Sequence, residues 1–174
     1  MTDSSDQTRP STLARQDFLE RYAGVYEHSP WIAEQVFEAG LGPAHDTAEG
    51  LQAAMAAIVE AAGRDAQLAL LRAHPDLAGK LAVAGELTAE STAEQAGAGL
   101  DQCTPEELSR FQELNEAYQA RFGFPFILAV AGRGRAEILA AFEARIGNDP
   151  ETEFREALDQ VHRIALIRLR QIGP

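Results

Sequence analysis

Apolar side chains recur along most of this chain at intervals of three and four residues, the period of helices that bury one face. Leu13, Phe18, Leu19, Tyr22 and Val25 predict a first helix over 12–27. Ser29 suits an N-cap and Pro30 a first helical position, so a second helix should run from Pro30 to Ala39 and stop at Gly40. Asp46 or Thr47 can cap a third through Leu51, Met55, Ile58 and Val59 to Ala62, with Gly63 ending it. Asp65 to Ala73 makes a fourth and Asp76 to Ala84 a short fifth; another begins near Ser91 and fades at Gly97-Ala98-Gly99. Thr104-Pro105-Glu106-Glu107 is the clearest start signal, a capping Thr with Pro first and Glu third, for a helix reaching Phe122. Arg135 to Ile146 reads as amphipathic helix, and Asp149-Pro150 opens the last. There Phe154, Leu158, Val161, Ala165, Leu169 and Ile172 fall on one stripe, with Arg168 at its edge and Arg163 and Arg170 opposite.

Two stretches lack that period. Residues 1–11 are polar and read as a frayed tail. Phe124 to Val130 is a continuous apolar run with no partner strand in sight, so it reads as an irregular or helical buried segment whose peptide groups need partners, a ligand among the candidates. The expected fold is all-α: a tail over 1–11, then a single compact domain over 12–174 with about seven to nine helices. The chain's 174 residues suit one core of ordinary size.

Charge narrows the function. A formal charge of −12 repels phosphate backbones, so neither nucleic acid nor an anionic membrane is an expected partner. An anionic substrate would need a local cation. The single cysteine, Cys103, rules out an internal disulfide framework and a cysteine-based zinc site. No apolar run approaches the ~18 residues of a membrane span, and the first residues lack a signal-peptide core. A cytoplasmic location is the expectation.

Candidate chemistry centres on residues 71–95. A helix-length segment leads into His74-Pro75-Asp76, and Pro75 biases His74 away from helical geometry, placing an imidazole at a helix end. A lone His is more often a structural hydrogen-bonder than a catalyst. Ser91-Thr92-Ala93-Glu94 matches a capping box, which would give Glu94 a purely structural task. Asp76 could orient His74 or cap the next short helix, and the cap is favoured. Arg168, directed at an apolar stripe, must find an anion; a rim position or a core carboxylate is the ordinary answer. His28, His45, His74 and His162 show no metal-site spacing, so no metal is expected. Gly132-Arg133-Gly134 lacks both the third Gly and the βαβ context of a dinucleotide loop.

Together these motifs resemble a known family. His74-Pro75-Asp76-Leu77, Ser91-x-x-Glu94-Gln95 with Ala98-Gly99-Leu100-Asp101, Phe122-Gly123-Phe124-Pro125-Phe126-Ile127 and Ile164-Ala165-x-x-Arg168-Leu169 are similar, in order, to the OHCU decarboxylases. Tyr26-Glu27-His28-Ser29-Pro30-Trp31 also looks like that family, and the likeness spans Leu13 to Ile172. Gly40 to Gly50 departs from it, having no Trp or Arg-Pro-Phe element.

The resemblance implies an all-helical, cofactor-free enzyme, often a homodimer. It would decarboxylate an anionic ureido-imidazoline, 2-oxo-4-hydroxy-4-carboxy-5-ureidoimidazoline, to S-allantoin. By motif, His74 would be the catalytic acid, Glu94 would hold the polar ring or ureido groups, and Arg168 would bind anionic or carbonyl oxygens. Pro75, Ser91, Gln95 and the segment Phe126, Ile127, Leu128, Ala129 and Val130 would complete the substrate site. Replacing His74, Glu94 or Arg168 with Ala is expected to leave the fold intact and abolish stereospecific product. Two rivals remain: a metal-dependent hydrolase of a small ureide using His74, Glu94 and His162, and a non-enzymatic helical interaction module displaying Trp31 and Phe124 to Phe126.

Overall fold

The computed structural model describes residues 9–174, which form nine α-helices and three 3-10 turns with no strand among them. The helices are α1 Arg15–Tyr22, α2 Trp31–Ala39, α3 Ala48–Ala61, α4 Arg64–Arg72, α5 Lys80–Ala84, α6 Ala89–Gly97, α7 Pro105–Phe122, α8 Arg135–Arg145 and α9 Pro150–Ile172. The all-α expectation holds. The chain divides into two compact units, one made of the described residues through Ala73 together with His162–Pro174, the other of His74–Val161. The division falls within α9, so each unit owns part of the longest helix.

In the first unit, Phe18, Tyr22, Ile32, Leu51, Met55, Leu70 and Leu71 are all buried. The Phe18 ring lies 5.0 Å from Tyr22 and 5.5 Å from Phe37, within the tilted range aromatic pairs favour. Thr47 caps α3 as expected, its hydroxyl accepting from the Gly50 amide. The expected tail meets the structure only at its end: residues 1–8 lie outside the described part. Residues 9–11 depart from that expectation. Pro10 is buried in a 3-10 turn, and Asp46 accepts from both the Ser11 amide at 2.8 Å and its hydroxyl at 2.7 Å.

The first helix is shorter than its apolar spacing suggests. It ends at Tyr22, and Val25 and Tyr26 are buried from the turns that follow. Ser29 does not cap α2: its hydroxyl donates back to the Glu27 carbonyl at 2.9 Å, leaving Pro30 at the cap. A short hydroxyl can satisfy either neighbouring backbone, and here it tightens the turn carrying Glu27.

The second unit is built around Tyr118 on α7. Phe122, Phe124, Phe126 and Phe142 surround its ring at centroid distances of 4.5 to 5.9 Å, and Phe126 stacks on Phe142 at 3.9 Å. Removing a ring from such a cluster costs about 3–5 kcal/mol through lost contact and residual cavity. The Thr104–Glu107 capping box opens α7 as read, and Gly123 ends it in a left-handed conformation. On α9, Phe154, Leu158, Val161, Ala165 and Leu169 are buried as expected, while Ile172 is exposed.

Candidate active site

The chain leaves α4 at Ala73, and His74 follows, buried at 8% exposure. What fixes the next residues is α6. Gln95 accepts from the Ala78 amide at 3.0 Å and donates to the Asp76 carbonyl at 3.2 Å, closing the turn with one side-chain amide. From α7, Asn115 donates to the Leu77 carbonyl at 3.0 Å. Two successive peptide groups, 76–77 and 77–78, are thus tied to helices by three hydrogen bonds, which immobilises the segment that holds His74. Ala78 sits at φ 48°, and a Cβ on Gly79 would lie 2.5 Å from the Asp76 Cβ, so the turn admits no side chain there.

Helix α6 starts earlier than the sequence suggests. Thr88 is its N-cap, accepting from the Ser91 amide, so Ser91 is already inside the helix and buried. The expected capping box at Ser91–Glu94 does not form. Two hydroxyl residues three positions apart, Thr88 and Ser91, could each have started this helix; with Thr88 as the cap, Ser91 and Gln95 lie on the buried face one turn apart. Glu94 therefore lies beyond the first turn, half-buried, beside Gln95.

Asp76 is held differently from its neighbours. Its Oδ1 is buried and accepts no hydrogen bond, and that burial raises its pKa above the usual carboxylate range, Lys80 opposing the shift. No capping role for α5 is visible in such an oxygen. A 510 Å³ cleft opens beside Asp76 along Lys80, Gln112, Asn115 and Glu116, and a 400 Å³ apolar one lies along Ala82, Leu87, Ala96 and Leu108. Neither cleft is lined by His74 or Glu94.

Phe126 to Val130 runs without helical turns and almost wholly buried, and its peptide groups find side-chain partners. Arg145 donates to the Ile127 carbonyl at 2.6 Å, the Ala129 amide donates to Gln160 at 3.0 Å, and Arg133 donates to the Ala129 carbonyl at 3.2 Å. Behind Arg145 stands Glu153, fully buried, which accepts from Arg145 Nε at 2.7 Å, Tyr118 at 2.6 Å and Asn148 at 3.0 Å. Arg145 Nη2 is 2.6 Å from the same oxygen but is not aligned to donate. Burial and this carboxylate push the Tyr118 pKa up.

Arg168 belongs to the other unit. It is buried, as the stripe suggests, and paired: Nη1 donates to Glu27 Oε2 at 2.9 Å and lies 3.3 Å from the Val25 carbonyl. Side-chain exposures are 4% and 2%. The core-carboxylate alternative is the one realised. Glu27 had no distinguishing mark of its own among 27 acidic residues, though it sits in the Tyr26–Trp31 stretch. His162 is engaged in the same unit, with Nδ1 2.9 Å from the Tyr26 hydroxyl and Nε2 3.2 Å from Glu60. Among the described residues, no three His, Cys, Asp or Glu side chains group as a metal site would require.

A profile of the OHCU decarboxylase family matches residues 11–170. The 2-oxo-4-hydroxy-4-carboxy-5-ureidoimidazoline decarboxylase of Haloferax volcanii is 45% identical over 159 residues, 91% of this chain and 90% of that protein. Among solved structures, an (S)-allantoin synthase superposes with a TM-score of 0.72 at 36% identity, covering 94% of this chain. The present chain spans about half of that longer one, 52%. An OHCU decarboxylase solved in the presence of (S)-allantoin shares the fold, with a TM-score of 0.67 at 23% identity over 88% of this chain and 97% of that one.

Proposed function

This chain belongs to the OHCU decarboxylase family, and from that premise we propose how its own residues carry out the reaction. The protein is a carboxy-lyase of urate degradation that releases CO2 from 2-oxo-4-hydroxy-4-carboxy-5-ureidoimidazoline to give allantoin. The bond to the carboxylate carbon breaks, and its electron pair flows into the adjacent C=N system of the substrate. The substrate is its own electron sink. Protein groups must then hold the ring, stabilise developing charge and deliver one proton to one face.

His74 is our proton donor. An imidazole with an ordinary pKa near ~6.5 can give up a proton near neutral pH. The observation that carries the assignment is the clamp on the turn behind it, where Gln95 and Asn115 grip Asp76, Leu77 and Ala78. A catalyst that must protonate one face of a planar intermediate needs a backbone that does not drift. Glu94, next to Gln95 and outside the helix cap, is assigned to the ring or ureido N–H groups; Arg168 takes the anionic or carbonyl oxygens. Pro75, Ser91, Gln95 and the Phe126–Val130 segment line the substrate. The expected location is the cytoplasm and the expected assembly a homodimer.

The interaction-module reading loses its basis, because Phe124 and Phe126 are 3% and 0% exposed. The hydrolase reading needs His162 beside His74 as a ligand, and His162 is already bonded to Tyr26 and Glu60. The test is circular dichroism of product formed from freshly generated substrate. Wild type should yield S-allantoin faster than spontaneous decay, and His74→Ala should yield only the slow racemate. Full stereospecific turnover by folded His74→Ala would overturn the assignment.

A further inference from the structure

We infer that Arg145, Glu153 and Gln160 are positioning residues for the reaction, acting through the Phe126–Val130 backbone; this rests on the reading of that segment as a wall of the substrate site. The segment has no strand partner and no helical ladder, so its course is set by the side chains that meet its peptide groups. The Ile127 carbonyl and the Ala129 amide, two residues apart, are both claimed by buried side chains, Arg145 and Gln160.

The frame is more rigid than packing alone would make it. Arg145 reaches Glu153 through Nε and Ile127 through Nη1, a two-pronged grip that an ammonium cannot copy. Its guanidinium lies 4.4 Å over the Phe126 ring, and Phe126 is stacked on Phe142. Glu153 is held in turn by Tyr118 and Asn148, and Gln160 by Glu156 at 2.8 Å. Three helices, α7, α8 and α9, thus converge on the register of five backbone residues. A buried ion pair serves stability poorly compared with apolar packing, so a role in geometry is the better account of this one.

The test separates positioning from folding. Arg145→Lys keeps the charge opposite Glu153 but cannot hold Ile127 as well; Gln160→Met keeps shape but loses the acceptor for Ala129. For each folded variant, at a temperature where thermal melts show it native, KM should rise about tenfold or more, since a displaced binding wall weakens ground-state and transition-state binding alike. The enantiomeric excess of product should fall, while kcat changes little. His74→Ala should show the opposite split. If Arg145→Lys does not fold, Gln160→Met carries the test. Wild-type KM and enantiomeric excess in the folded variants overturn the positioning role while leaving the reaction standing; a wild-type protein without turnover overturns both.

Discussion

Removing the carboxylate of Glu27 should damage the fold far more than its place in a short turn suggests. The Arg168 guanidinium is 4% exposed and its partner 2%, with 2.9 Å between Nη1 and Oε2. A guanidinium keeps its charge at any physiological pH, so Glu27→Ala removes the carboxylate that pairs with a buried cation. Breaking one side of such a pair costs about 3–5 kcal/mol. In a protein of this size each kcal/mol moves Tm by roughly 2–4 °C, so the melt should fall by about 6–20 °C. Glu27→Gln, which keeps an acceptor but not the charge, should fall between wild type and Glu27→Ala. The double substitution Glu27→Leu with Arg168→Met should recover much of the loss, because a hydrophobic pair of similar volume often matches a buried ion pair. Thermal and urea melts followed by far-UV circular dichroism complete the double-mutant cycle. A Glu27→Ala penalty below about 1 kcal/mol, the value of an exposed pair, would refute the view that this pair is dry. The same reasoning corrects the expectation that Arg168→Ala leaves the fold intact: it takes the guanidinium of this pair away from a buried carboxylate, so lost turnover in that variant would not by itself report on catalysis.

Other outcomes follow from the second unit. Burial raises the Asp76 pKa, so its ionised form is penalised in the folded state; stability contributed by the protonated form is complete below the unfolded value near ~3.9 and is lost as pH rises through the higher folded value. Asp76→Asn should therefore raise Tm at neutral pH and give no gain in strong acid; a gain independent of pH would contradict the burial account. Gln95→Ala strands the Ala78 amide and the Asp76 carbonyl, at roughly 1–3 kcal/mol for each stranded group, measurable by urea unfolding. Should that variant unfold like wild type, the clamp on the His74 segment is weaker than described. Exhaustive chelation should leave wild-type turnover unchanged, and its loss, restored by added metal, would favour the hydrolase.

Much of this fold is written in local signals. The Thr104–Glu107 box and the Thr47 cap set their helices because each needs only partners within one turn. The α6 start was misread for the same reason: Thr88 and Ser91 are both competent caps, and only burial of Ser91 and Gln95 decides between them. Arg168 was visible as a cation on an apolar stripe, but its partner, 141 residues away, was not, since pairing of distant charges leaves no periodicity. Arg145, Glu153 and Gln160 were missed too. They lie on helices whose apolar rows explain themselves, and only the non-helical Phe124–Val130 run hinted that something must satisfy its peptide groups.

The pairing of Glu27 with Arg168 also bears on how the chain is made. The first 73 residues leave the ribosome carrying a carboxylate destined for burial, while the cation that neutralises it comes only with the final turns of α9. Segments that fold during synthesis do so from the N-terminus at about 5–20 residues per second. Here the earliest-made unit cannot reach its native arrangement until α9 has been synthesised. The unit begun first is finished no earlier than the one begun second, so a ribosome stalled before Arg168 should hold a nascent N-terminal half that proteases still cut.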